Sequence, residues 1–73
     1  MTRYELLKAN EDTMYQFIKA GILSFQVIRD IEIFESFNNY EDGISKESRY
    51  LLLADTYELS SKRIEQIVYQ MIK

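Results

Sequence analysis

The sequence predicts an all-α domain, and three observations carry that expectation. The 73 residues contain no proline and only two glycines, so few points along the chain oppose a helix. Apolar residues recur at helical spacing along most of the length. Helix-starting residues, Thr2, Ser24, Ser45 and Ser60, each precede such a stretch.

A compact arrangement of four helices in a single domain, residues 1–73, follows. The first helix is expected over residues 2–20. Thr2-Arg3-Tyr4-Glu5 has capping-box spacing, in which hydroxyl and carboxylate each satisfy the other residue's amide. Tyr4, Leu7, Met14 and Ile18 share one stripe, widened by Leu6 and Phe17. Asn10 to Thr13 is a polar patch where this helix frays or bends. Gly21 suits the left-handed residue that closes it.

The second helix is expected from about Ser24 to near Tyr40. Val27, Ile31 and Phe34 lie on one face, and Ile33, Phe37 and Tyr40 on another. A helix apolar over so much of its circumference is central, packed against more than one neighbour, unless one face is a dimer contact. Asp42-Gly43 ends it. A third helix runs from Lys46 to Thr56 or Tyr57 after a Ser45 cap. The fourth runs from Ser60 or Ser61 nearly to the C-terminus, with Ile64, Ile67, Val68, Met71 and Ile72 in an i, i+3, i+4, i+7, i+8 stripe.

Composition removes several chemistries. There is no cysteine and no histidine, hence no disulfide framework, thiolate nucleophile or imidazole base, and no ordinary zinc ligand set. No apolar run reaches the length of a membrane span. Arg3, Glu5 and Lys8 interrupt the N-terminus, so no signal peptide is expected and a cytoplasmic location is. The net charge is −3, but it is uneven. Residues 1–43 hold four basic side chains against eight acidic ones, and residues 44–73 hold five against four. Local field rather than total charge governs attraction to phosphate.

The stretch from Leu53 to Val68 is the most informative. Two short helices meet at a tight turn, Tyr57-Glu58-Leu59-Ser60. Ala54 is small where they would cross; Leu53, Tyr57, Leu59, Ile64 and Ile67 supply the inner face. This resembles the helix-turn-helix of DNA-binding regulators, firmly over residues 44–73 and loosely over 24–43, with 24–73 as a tri-helical unit. The family commonly has glycine at the left-handed turn position. Glu58 stands there instead, at a cost of about 1 kcal/mol.

The resemblance implies a small transcriptional regulator or accessory factor that binds double-stranded DNA, with the fourth helix in the major groove. Mapped by position, the base-reading face carries Ser60, Ser61, Lys62, Glu65, Gln66 and Tyr69. Gln66 matches an adenine edge and Glu65 a cytosine amine, while Lys62 and Arg63 suit guanine or phosphate. Lys46, Ser48 and Arg49 are the candidates for flanking phosphate contacts. A single unit covers a short site, so a homodimer on two half-sites is implied, through the first helix or the spare face of the second. No cofactor, metal, membrane or small-molecule substrate is expected.

Other readings compete. Asn38 to Ile44 has the Asp-Gly-Ile step of a calcium loop, but Tyr40 stands at a ligand position and Arg49 where a bidentate glutamate is needed. Asp30, Glu32 and Glu35, or Glu11 and Asp12, are carboxylates on helices with no implied pocket to separate their pKa values, so an enzyme is not expected. The acidic first half favours a rival class: a small helical module that docks a protein partner.

Overall fold

The Thr2 hydroxyl accepts from the Glu5 amide at 3.1 Å, and the Glu5 carboxylate accepts from the Thr2 amide at 2.9 Å. The predicted capping box therefore opens the first helix. The computed structural model describes residues 1–73 as five helices and no strand. They are α1 (Arg3–Ala9), α2 (Glu11–Lys19), α3 (Gln26–Asn39), α4 (Lys46–Tyr57) and α5 (Ser61–Met71).

One expected helix is two. Asn10 leaves the helical region, at φ −115° and ψ 25°, and its side-chain amide donates to the Leu6 carbonyl at 2.8 Å. An asparagine that hydrogen-bonds its own backbone neighbourhood competes with the helix ladder. The expected four-helix count becomes five for that reason. Glu11 and Asp12 then fall in the first turn of α2, where carboxylates are favoured by the helix dipole.

Gly21 closes α2 at φ +79°. The Gly21 amide donates to Ile18 and the Ile22 amide to Phe17, the paired bonds of a Schellman cap. α3 begins two residues after Ser24, whose hydroxyl accepts from the Gln26 amide at 3.3 Å. Ser45 and Ser60 cap α4 and α5, accepting from the Ser48 and Arg63 amides.

Helix α5 packs against α4, α3 and α1, and α3 packs against α4. The core joins Ile31, Ile33, Phe34 and Phe37 of α3 to Leu53 of α4 and to Ile64, Ile67, Val68 and Met71 of α5, with Met14 the contribution of α2. Ile33 and Ile64 are fully buried, and no polar or charged residue is buried. α1 buries nothing completely. It is held by Tyr4, whose hydroxyl donates to Glu35 at 2.8 Å and whose ring lies 4.8 Å from that of Phe34. Lys8 adds ion pairs to Glu11 and Glu35, both at 3.4 Å.

The molecule measures 39 × 26 × 17 Å with a radius of gyration of 13.0 Å, against about 11 Å for a compact chain of this length. No helix is long and apolar enough to cross a membrane.

Candidate nucleic-acid interface

The α4–α5 joint turns within three residues. Glu58 adopts the left-handed conformation, φ 56° and ψ 43°, at the position where the family resemblance implies a residue that is commonly glycine. The amides of Glu58 and Leu59 both return to the Ala54 carbonyl, so the last turn of α4 is tied off. The chain reverses there without proline or glycine. Leu59 packs on the core, and so do Ala54 and Tyr57. Ser60 follows and caps α5, leaving the start of α5 at the surface.

That corner orients the two sides of α5. Ile64, Ile67, Val68 and Met71 face inward. On the opposite side Lys62, Gln66 and Tyr69 are exposed, and Glu65 is half-buried. An open cleft on this side is lined by Lys62, Glu65, Gln66, Tyr69, Gln70 and Lys73. Gln70 and Lys73 were not among the sequence candidates. Helical spacing offered the signal, since they stand four residues after Gln66 and Tyr69. A second hollow, between α4 and α5, brings Ser61, Lys62 and Glu65 beside Glu47, Tyr50 and Leu51. Tyr50 in this hollow is half-buried. Burial raises its pKa first, and nearby Tyr69, Glu65 and Glu47 add to the effect.

The sequence candidates do not all gather. Ser60, Ser61, Lys62, Glu65, Gln66 and Tyr69 follow one side of α5. Lys46 shares a hollow with Tyr69. Arg63 is half-buried, and its guanidinium donates to the Gln66 side chain at 3.5 Å. Ser48 lies elsewhere, in a groove with Ile44, Leu51 and Leu52, and its hydroxyl accepts from that of Ser45 at 3.1 Å.

Arg49 is committed to the fold. Nε donates to the Ile44 carbonyl at 3.0 Å, Nη1 to Phe37 at 3.1 Å and Nη2 to Glu41 at 3.2 Å. Its guanidinium also lies 5.4 Å from the centroid of the Phe37 ring, which stacks on Tyr50 at 5.3 Å. A flanking phosphate contact would compete with three charge-assisted bonds. The same contacts fill the loop considered for calcium: carbonyls at the end of α3 and in the loop face a guanidinium. No group of three or more acidic side chains converges as a metal site.

The chain matches no protein-family model, no curated protein and no solved structure.

Proposed function

We propose that this chain binds double-stranded DNA in a sequence-dependent manner, as a small transcriptional regulator or accessory factor, with α4 and α5 acting as a helix-turn-helix. The observation that carries the proposal is the corner at Glu58 to Ser60. A left-handed residue and a serine cap turn the apolar stripe of α5 into the core. The same corner leaves Lys62, Gln66 and Tyr69 uncovered.

In the proposed complex, α5 enters the major groove. Gln66 and Glu65 meet base edges, Gln66 through the bidentate geometry that suits adenine. Lys62, with Lys73 farther along the cleft, supplies positive charge for phosphate, and the free amides at the start of α5 add the favourable end of its dipole. Lys46 flanks from α4. Ser48 and Arg49 stand outside the proposed contacts, because one lies in a different groove and the other is bonded to three carbonyls.

The test is affinity for random duplex DNA across a salt series. The logarithm of the affinity should fall linearly with the logarithm of salt concentration, and Lys62→Ala with Lys73→Ala should reduce that slope by about 2. Gln66→Ala should instead relax preference among sequences selected from a random duplex pool. No binding at low salt, or a slope indifferent to both lysines, would favour the rival reading, a protein-docking module. The excess of acidic residues in 1–43 supports that rival.

A further inference from the structure

We propose that the hollow where α3, α4 and α5 meet binds a small aromatic carboxylate. Its volume is about 350 Å³, at the small end of the roughly 300–1,000 Å³ of small-molecule sites. Phe34, Phe37 and Val68, all buried, form its floor, and Tyr50, Tyr69 and Ile72 complete its apolar lining. Phe37 and Tyr50 already stack, with ring centroids 5.3 Å apart and planes 14° from parallel. A lining so rich in rings favours a flat ligand, which gains from offset and edge contacts beyond the area it buries. Tyr69 and Ile72 are 50% and 52% exposed, so a ligand enters without disturbing the core.

Charge selects an anion. The polar lining is Asn38, Lys46 and Arg49, and no carboxylate joins them in a chain that has twelve acidic residues. Glu47 and Glu65 stand beside Tyr50 in the neighbouring hollow instead. Lys46 takes no part in the molecule's ion pairs, which join Lys8 to Glu11 and Glu35, and Arg29 to Asp30. It is exposed and is the first residue of α4, where the helix dipole disfavours a cation. Arg49 bonds only to carbonyls, so no carboxylate cancels its charge. An apolar floor with two uncancelled cations at its edge matches a molecule with a ring at one end and a negative charge at the other. Lys46 meets that charge, since the fold already holds the Arg49 guanidinium.

No part of this depends on DNA, and the test contains none. Naphthoate is titrated into the full chain and followed by amide NMR. Naphthylmethylammonium has the same ring with the opposite charge, and cyclohexanecarboxylate is the acid without the aromatic ring. Saturable naphthoate shifts should centre on Phe37, Tyr50, Val68 and Ile72, with a Kd at or below about 1 mM, as expected for a ligand of roughly 13 non-hydrogen atoms. Lys46→Gln should weaken naphthoate about 10-fold, and Lys46→Arg should restore most of the affinity. Both variants should keep the helical circular dichroism, because Lys46 is exposed. The absence of saturable shifts up to about 10 mM naphthoate would overturn the proposal. So would shifts centred on Leu51 and Leu52, whose groove no charged residue lines. Equal affinity for either control compound, or a Kd indifferent to Lys46→Gln, would overturn it as well.

Discussion

The chain contains two pairs of consecutive helices joined by short turns, α1–α2 and α4–α5, and they are built differently. In α4–α5 the turn residue Glu58 is left-handed and Ser60 caps the following helix. The pair packs on itself and on α3, burying Leu53, Ile64, Ile67, Val68 and Met71. In α1–α2 the joint is the single residue Asn10, which bonds backward to Leu6 and gives the next helix no side-chain cap. That pair buries only Met14 and Ile18 completely. Polar tethers from Tyr4 and Lys8 to Glu35 do part of the holding. Helical spacing is similar in both pairs. What differs is whether the turn directs the apolar stripe onto a partner.

Core truncation should break the symmetry most. Ile64→Ala removes a fully buried side chain from the centre of the C-terminal pair and should cost about 2–5 kcal/mol, a large share of the stability of a domain this small. Phe17→Ala, on the N-terminal pair, should stay within about 0.5 kcal/mol. Urea unfolding of both variants measures the contrast, and equal losses would mean that the two pairs are held alike. Next in size is Arg49. Arg49→Lys keeps the charge but cannot form the three-pronged bond to Phe37, Glu41 and Ile44, and should cost about 1–3 kcal/mol in the same assay.

The turn residues come next. Ser60→Ala should destabilise by about 1 kcal/mol through loss of the cap. Glu58→Gly should stabilise by up to about 1 kcal/mol, because glycine adopts a positive φ without penalty. Thermal melts of the two variants should therefore move in opposite directions. A destabilising Glu58→Gly would mean that the Glu58 side chain contributes something its backbone angle does not show.

The smallest effect is local and depends on pH. The pKa of Glu5 is lowered because the Thr2 amide, and then its hydroxyl, hydrogen-bond the carboxylate. A lowered pKa means a contribution present above the ordinary value of 4.5 and lost as pH falls through the folded value. Acid should therefore fray the start of α1 first, visible as amide exchange at Glu5 and Leu6 in NMR while α5 stays protected. Alkali should be less selective. Tyr4 is raised chiefly by its bond to Glu35, and Tyr50 by burial. Their contributions are present below pH 10 and lost as pH rises through the raised values, one on α1 and one on α4.

Much of the fold was legible because its signals are short-ranged. A cap reaches three residues, so Thr2, Ser45 and Ser60 could be placed from their neighbours, and Gly21 from the stripe it ends; the left-handed Glu58 followed only from the family resemblance. The buried faces of α3 and α5 follow from spacing alone. The break at Asn10 was half visible as a polar patch. Choosing between a bend and a break depends on which carbonyl the side chain takes, and spacing does not say. The bonds that tie Arg49 to the end of α3 were not legible, because its partner at Phe37 lies twelve residues back.

The amino-acid sequence by itself determined that the chain is helical, where most helices start and stop, and which side chains share a face. Those outcomes rest on interactions within one or two turns of backbone. Only the tertiary structure decided which faces are covered. It buries Ile64, leaves Phe17, Ile22, Phe25 and Leu51 in solvent, and draws Arg49 into the end of α3. Burial requires a second surface at contact distance, and that surface comes from residues far away in the chain.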